Sequence, residues 1–392
     1  MSADKPLAMR LRAARETRGL TQAQAAAELG VSRPLLIAIE RGTRDASPHQ
    51  IATLAQAYQV PVSELLRPTP PPTIIARRLT AIVPAGQHDA EDLQAAIGLL
   101  QHQADSYIDL LRLSGAHPPR RPEPIRALSS PDPQRAEDLA TEERNRLGLG
   151  DGPLPMLREV LELQGGLRIF LLALPLSVAG LFVTADVLGG CAGINSRHPC
   201  ERRRWTMAHE YAHHLTNSDR AEITQVTHRR RPEAEQFADA FAASFLMPRS
   251  GLSRRYHELQ GDHSEPVAAV NLAQLARLYG VSIRALSSRL EELDLLRHRP
   301  SESPLEDNFR LRVATEILDH AMFSEHLIEL PVHFRMLAIQ LFAEAAITEV
   351  QLARYLDTDI VGARRTYAEF TETADVALDG SRLIFDLAEA VG

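Results

Sequence analysis

The 392-residue sequence predicts a mainly helical chain of several domains with one small α+β core. Three observations lead there. Capped amphipathic helices fill the first 67 residues, apolar strand-like segments are confined to residues 167–195, and helical periodicity returns from residue 200. The length exceeds what one ordinary core requires. The boundaries read as a five-helix domain at 1–67 and Pro-rich linkers around a helical segment at 68–135. The mixed core, with a trailing helix-turn-helix-like pair, follows at 136–300, and a helical C-terminal region at 301–392.

Leu7 to Arg18 reads as an amphipathic helix stopped by Gly19. Thr21 caps a second helix, and Gln24 completes a capping box. Leu29-Gly30-Val31-Ser32 is a tight turn, after which Ser32 caps a third helix ending at Arg41-Gly42. Residues 51–58 and 61–66 supply two more short helices. This pattern, from Leu20-Thr21-Gln22 through Ile39-Glu40-Arg41-Gly42, resembles the Xre-type helix-turn-helix domain of phage repressors. The resemblance implies double-stranded DNA as partner, the third helix in the major groove, and a homodimer on a palindromic site. Gln22, Arg41 and Arg44 are then phosphate contacts, and Arg33 is the base reader, suited to guanine. Pro34, Leu35, Ile37 and Ala38 carry no side-chain donors. They suit thymine methyls or, alternatively, a docked protein.

Residues 67–72, Arg-Pro-Thr-Pro-Pro-Pro, form a stiff extended tract, and a second Pro-rich tract spans 118–133. Between them, residues 91–113 carry Leu and Ile at helical spacing, a helix that packs on a core or dimerises. The net charge of −8 argues against a whole-protein nucleic-acid coat. The first 67 residues nevertheless hold nine Lys/Arg against six Asp/Glu, net +3, so positive charge gathers in the N-terminal domain. No secretory leader opens the chain, and Arg168, Pro175, Ser177 and Asp186 interrupt its apolar run at 167–187. A cytoplasmic protein with no membrane span is expected. Cys191 and Cys200 are read as packing residues.

The mixed core opens with a helix near 155–163, broken at Gly165-Gly166, and strands at about 167–174, 178–184 and 191–195. The last of these is expected as the edge strand beside the next helix, able to pair with an extended peptide. That helix contains His209-Glu210-Tyr211-Ala212-His213. Positions i and i+4 share a helix face, so His209 and His213 can hold one metal ion together. Glu210 lies one step round, placed to reach a water at the metal as general base. A third ligand is needed for catalytic zinc, and Glu235 is the best candidate. It opens a helix whose apolar stripe is Phe237, Phe241, Phe245 and Leu246, with Pro232 in the first turn. Asp239, four residues on, suits a hydrogen bond that fixes a ligand histidine's tautomer. The plainer reading is a solvated His/Glu face, which the downstream helix disfavours. His214 points about 100° away from His213 and is read as a supporting residue.

The stretch Arg203-Arg204-Trp205-Thr206-Met207-Ala208-His209-Glu210-Tyr211-Ala212-His213, with Glu235 to Phe245-Leu246-Met247-Pro248, resembles the ImmA/IrrE family of metallopeptidases. Asp239 stands where that family more often has Asn, and Tyr211-Ala212 where Leu-Gly is common. The resemblance implies a gluzincin-like fold, His209, His213 and Glu235 as ligands, Glu210 as base, and cleavage of a repressor in stress responses or mobile-element induction. The metal is expected to be zinc, although such ligands also accept Mn2+ or Fe2+.

Arg202-Arg203-Arg204 and Arg229-Arg230-Arg231 flank the active segment, either as solvated turns or as a basic rim that steers an acidic substrate or touches DNA. Tyr256, His257 and His228 are candidates by residue type for stabilising an oxyanion, with nothing to choose among them. Leu275 to Ser282 echoes Ala25 to Ser32, and Ile347 to Leu356 suggests a further helix pair. Packing is the favoured role for the former. Two functions follow: a DNA-bound regulatory protease acting in stress or mobile-element defence, or a transcription regulator whose peptidase fold only senses zinc, a peptide or a small ligand.

Overall fold

The structure, a computed structural model, describes residues 5–58, 60, 62–66, 75–83, 89–117, 132–185, 187–216, 221–226, 232–260, 269–296, 329–376 and 382–386. The chain divides into two compact units, Met1–Asp105 and Ser106–Gly392. The Pro-rich stretches at 68–72 and 118–131 lie outside the described residues.

The first unit begins with α1 (Lys5–Thr17), α2 (Gln22–Leu29), α3 (Arg33–Glu40), α4 (Pro48–Tyr58) and α5 (Val62–Leu65). Helix α6 (Ile75–Thr80) and the first part of α7 (Ala90–Ser114) complete it. Thr21 closes its capping box with Gln24. The turn after α2 runs through Gly30 at φ 68°, a conformation that costs glycine little. Ser32 occupies the position before α3 in extended backbone, but its hydroxyl makes no capping hydrogen bond. The expected side-chain cap is therefore absent there. Leu11, Leu36 and Leu54 are fully buried with Ile39 and Tyr58 in one core. Inside that core Arg15 Nε donates to Glu40 Oε1 at 2.6 Å, and a second guanidinium nitrogen reaches Oε2 at 3.1 Å.

In the second unit, α8 (Pro133–Arg146) precedes α9 (Leu157–Glu159), which widens into a π-helical turn (Val160–Gln164). Three strands follow: β1 (Arg168–Leu172), β2 (Val178–Ala185) and β3 (Gly189–Asn195). Next come α10 (Cys200–Thr216), β4 (Glu222–Gln225), α11 (Glu233–Leu246), α12 (Arg249–Gln260), α13 (Ala269–Tyr279) and α14 (Ile283–Glu292). The C-terminal region holds α15 (Val332–Ala343), α16 (Glu349–Tyr355) and α17 (Ile360–Thr371). After these helices its described residues form an antiparallel pair, β5 (Glu372–Val376) with β6 (Arg382–Asp386).

The sheet order is β1-β3-β2-β4, with β1 parallel to β3 and β2 antiparallel to both β3 and β4. This corrects the expectation that 191–195 is an edge. β3 is interior, and β4 is terminal beside α10. The physical reason is visible in β3 itself, where Cys191, Ala192 and Ile194 are all fully buried. Small apolar residues on both faces suit a central strand, while an edge is normally protected by polar side chains. The outer side of β1 is also occupied. Leu171 N–H donates to the Glu329 carbonyl at 2.8 Å, and Arg158 bridges the carbonyls of Ile169 and Leu330. Glu162, from the π-helical turn, pairs with Arg158 at 2.8 Å and accepts the Val332 N–H at the start of α15. Burial pushes the Glu162 carboxyl up to about 7 against the pull of Arg158.

The main core lies between the sheet and α10, with α11 and α8 behind it. Phe237, Phe241, Phe245 and Leu246 of α11 are all buried, each worth roughly 1.5–3 kcal/mol. Leu275, Tyr279, Leu286 and Leu290 place α13 and α14 in the same core. Among the described residues, no helix is long and apolar enough to cross a membrane.

Candidate metal centre

Helix α10 presents His209 and His213 one turn apart, and the first turn of α11 brings Glu235 against both. His209 Nε2 and His213 Nε2 stand 3.2 Å apart. The Glu235 carboxylate contacts them at 3.4 and 3.3 Å, one oxygen to each. One donor atom from each residue falls within 4.8 Å of the others. The far side of each ring faces a carboxylate: His209 Nδ1 meets Asp239 Oδ1 at 3.0 Å, and His213 Nδ1 meets Glu222 Oε2 at 2.8 Å. The hydrogen bond from Asp239 places the His209 ring proton at Nδ1, and the Glu222 carboxylate beside His213 Nδ1 favours the same tautomer electrostatically, which turns the Nε2 lone pairs inward. With both rings deprotonated, two imidazole lone pairs and a carboxylate thus converge on one point, where a cation would hold them together. Two nitrogens and one oxygen at this spacing are the donor set of catalytic zinc.

Glu210 is fully buried. Its Oε1 accepts from the Thr224 hydroxyl at 2.8 Å, while Oε2 has no hydrogen-bond partner among the described residues. Burial raises the Glu210 carboxyl above the ordinary carboxylate range, opposed by His209, His213 and Thr224. A raised pKa suits a group that takes up a proton during the reaction. A side chain at Gly180 on β2 would collide with this carboxylate, since a Cβ there would lie 2.5 Å from Glu210 Oε1 and 2.8 Å from Thr206 Cγ2. Gly180→Ala is expected to destabilise the fold by about 1–3 kcal/mol through overpacking. It should also lower any hydrolysis at least tenfold while metal content is retained. Denaturant unfolding and elemental analysis of one preparation read both effects.

Burial alone would depress the two histidines. For His209 the contacts with Asp239 and Glu235 outweigh it, raising the imidazole to about 9. For His213 the contacts with Glu222 and Glu235 raise it to about 10. Glu235, which burial would raise, is held well below the carboxylate range by the same two rings. The sign of the pH dependence follows. Without metal, these histidines stabilise the fold fully below the ordinary histidine value of about 6.5, and that contribution fades as pH rises toward 9–10. A metal needs both rings deprotonated at Nε2, so its affinity is expected to climb over the same interval, with proton release on binding. Thermal melts from pH 7 to 10 should show the metal-free form losing stability while the loaded form stays level, since its rings carry no Nε2 proton to lose.

The structure also sorts the remaining sequence expectations. His214 reaches the Gly165 carbonyl at 3.2 Å and stacks on Tyr211, as a supporting residue would. Arg203 and Arg204 do not form a basic rim. Arg204 is fully buried, donating to the carbonyls of Leu154 and Gly280, and Arg203 donates to that of His198. Arg204 clamps two distant backbone segments, Arg203 holds a nearby one, and only Arg202 of that trio is exposed. Arg229, Arg230, Arg231 and His228 lie outside the described residues. Tyr256 is a core residue and His257 is exposed on α12. In the N-terminal unit Arg33, Arg41 and Arg44 are exposed, whereas the Gln22 amide is drawn to Glu40 Oε2 at 3.1 Å. Sequence reading missed Glu222 and Thr224. Their only advance signal is the alternation that puts both on one face of a short strand.

Residues 166–291 match the family described as IrrE N-terminal-like domain, and residues 6–67 match a helix-turn-helix domain. The two matches support a fusion of a helix-turn-helix domain with an IrrE-like domain. The IrrE-like match contains all of the metal-centre residues named above. Among solved structures, similarity extends to Bacillus thuringiensis PlcR in complex with the peptide PapR7 and DNA. Identity is 14%, covering 93% of this chain and 94% of that one, at a TM-score of 0.16. ComR from Streptococcus suis is similar at 12% identity, covering 94% and 88%, also at 0.16. At such TM-scores neither bears on fold or function. The comparison with curated proteins finds no match.

Proposed function

We propose that this chain is a DNA-binding regulatory zinc metallopeptidase that cleaves a repressor or another regulator protein in a stress or mobile-element defence response. The observation that carries the reading is the convergence of His209, His213 and Glu235 donors, each imidazole backed by a carboxylate, beside a buried glutamate with one unpartnered oxygen. A divalent cation bound there would polarise a carbonyl and acidify a water molecule. With that chemistry supplied, Glu210 would take up a proton at Oε2 and pass it to the leaving nitrogen, while Thr224 holds Oε1. The terminal strand β4, which brings Thr224 to Glu210, offers its backbone direction to an extended substrate segment. The helix-turn-helix domain delivers the enzyme to DNA as a homodimer in the cytoplasm, with Arg33, Arg41 and Arg44 toward the duplex. Gln22 contributes less directly, through its hold on Glu40.

Elemental analysis of the purified chain is expected to give about one zinc per chain, sharply reduced in Glu235→Ala. Absence of metal from protein never exposed to chelator would overturn the reading. It would leave a regulator whose peptidase fold acts as a sensor, recognisable by DNA binding that changes with ligand and by the lack of any proteolysis.

A further inference from the structure

Strand β4 is only four residues long, yet it touches the metal centre twice. Glu222 meets His213 Nδ1 at 2.8 Å, and Thr224 donates to Glu210 Oε1 at 2.8 Å. Alternate residues of a strand share a face, so one short segment turns both side chains toward α10. The pairing register reinforces this. Thr224 lies opposite Gly180, whose missing side chain makes room for the Glu210 carboxylate, and Glu222 lies opposite Phe182, whose ring is 6.2 Å from that of His213. Glu222 remains only partly covered, at 18% side-chain exposure, while His213 is at 2%. The carboxylate therefore comes to the ring from the sheet margin, not from the helix that carries the ligand. Asp239 performs the matching contact for His209, but from α11, the helix that also carries Glu235.

We propose that Glu222 and Thr224 are positioning residues with separate tasks. Glu222 fixes the ring of His213 for metal, Thr224 fixes the carboxylate of Glu210 for proton transfer, and β4 thereby sets ligand and base together. The Thr224 half rests on the peptidase reading given above, while the Glu222 half needs only that the centre binds metal.

The test uses the full-length chain. Zn2+ affinity is measured by competition with a chromophoric chelator, and Co2+ absorption reports ligand geometry. Glu222→Gln, isosteric and uncharged, is expected to weaken Zn2+ binding on the order of 10- to 100-fold and to alter the Co2+ bands. Thr224→Val is expected to leave affinity within about threefold and the Co2+ bands unchanged. Where a cleaved partner is in hand, Thr224→Val should lower kcat on the order of tenfold or more with KM preserved. Wild-type affinity in Glu222→Gln overturns the first assignment. Equal weakening in both variants overturns the division of tasks, and an unchanged kcat in Thr224→Val overturns the second assignment. Should Glu222→Gln fail to fold by circular dichroism, Glu222→Asp decides. It keeps the charge but withdraws the carboxylate by one methylene, so wild-type affinity there overturns the need for contact. A chain that binds metal but cleaves nothing defeats the peptidase reading and leaves the Glu222 result intact.

Discussion

Glu210→Gln is expected to abolish cleavage of a partner protein while leaving metal content and fold untouched. The change is isosteric. The Thr224 hydroxyl can still donate to the amide oxygen at the position of Oε1, and Gly180 still accommodates the group. What disappears is the proton acceptor. Loss of a general base costs on the order of 100- to 10,000-fold in rate. The fold should not suffer, because a buried carboxylate with an unpartnered oxygen is itself costly and its neutral isostere is less so. Single-turnover cleavage assayed beside elemental analysis checks the prediction. Retained cleavage in a variant with full metal content would show that another group takes the proton.

The second large effect is expected in the N-terminal domain. Arg15 and Glu40 form a buried ion pair between α1 and α3, and the guanidinium also reaches the Leu20 carbonyl at 2.8 Å. Glu40→Ala would strand a buried guanidinium and release Gln22, at a cost of about 3–5 kcal/mol. A helical domain of this size has a stability of roughly 3–10 kcal/mol, so the loss takes up most of it. Hydrogen exchange on the intact chain should show α1 to α4 losing protection together, with the IrrE-like domain unaffected. Arg15→Met with Glu40→Leu should recover most of that protection, since apolar residues of similar volume tolerate such sites. Failure of Glu40→Ala to alter exchange would mean that water already solvates the pair.

The metal centre was largely legible in the sequence because most of it is helical. The spacing of His209 and His213 fixes a shared face, and Asp239 follows Glu235 by the same interval, so two local periodicities name the ligands and one supporting carboxylate. Glu222 and Thr224 were not legible. Their contacts depend on which strand lies beside β2, and strand order is not written in alternation. The same blindness placed 191–195 at an edge, although its small buried residues suit the interior. Arg203 and Arg204 read as a solvated rim because a charge run usually is one. Their carbonyl acceptors at His198, Leu154 and Gly280 include two more than 40 residues away, and local pattern cannot reveal such partners. In the N-terminal domain, caps and turn chemistry carry most of the fold, and the departures at Ser32 and Gln22 concern single side chains.

The strap at Glu329 and Leu330 limits how copies of this chain can associate. With the Leu171 N–H spent on Glu329 and the neighbouring carbonyls held by Arg158, β1 offers an incoming strand little to grip. Among the described residues of this four-stranded sheet, strand-to-strand growth is therefore confined to β4. In polymer terms the sheet is monofunctional: two copies joined through β4 would present only strapped margins, and the assembly would stop at two. Removing the Glu162–Arg158 anchor would make the sheet bifunctional, turning a self-limiting pair into a chain that can lengthen.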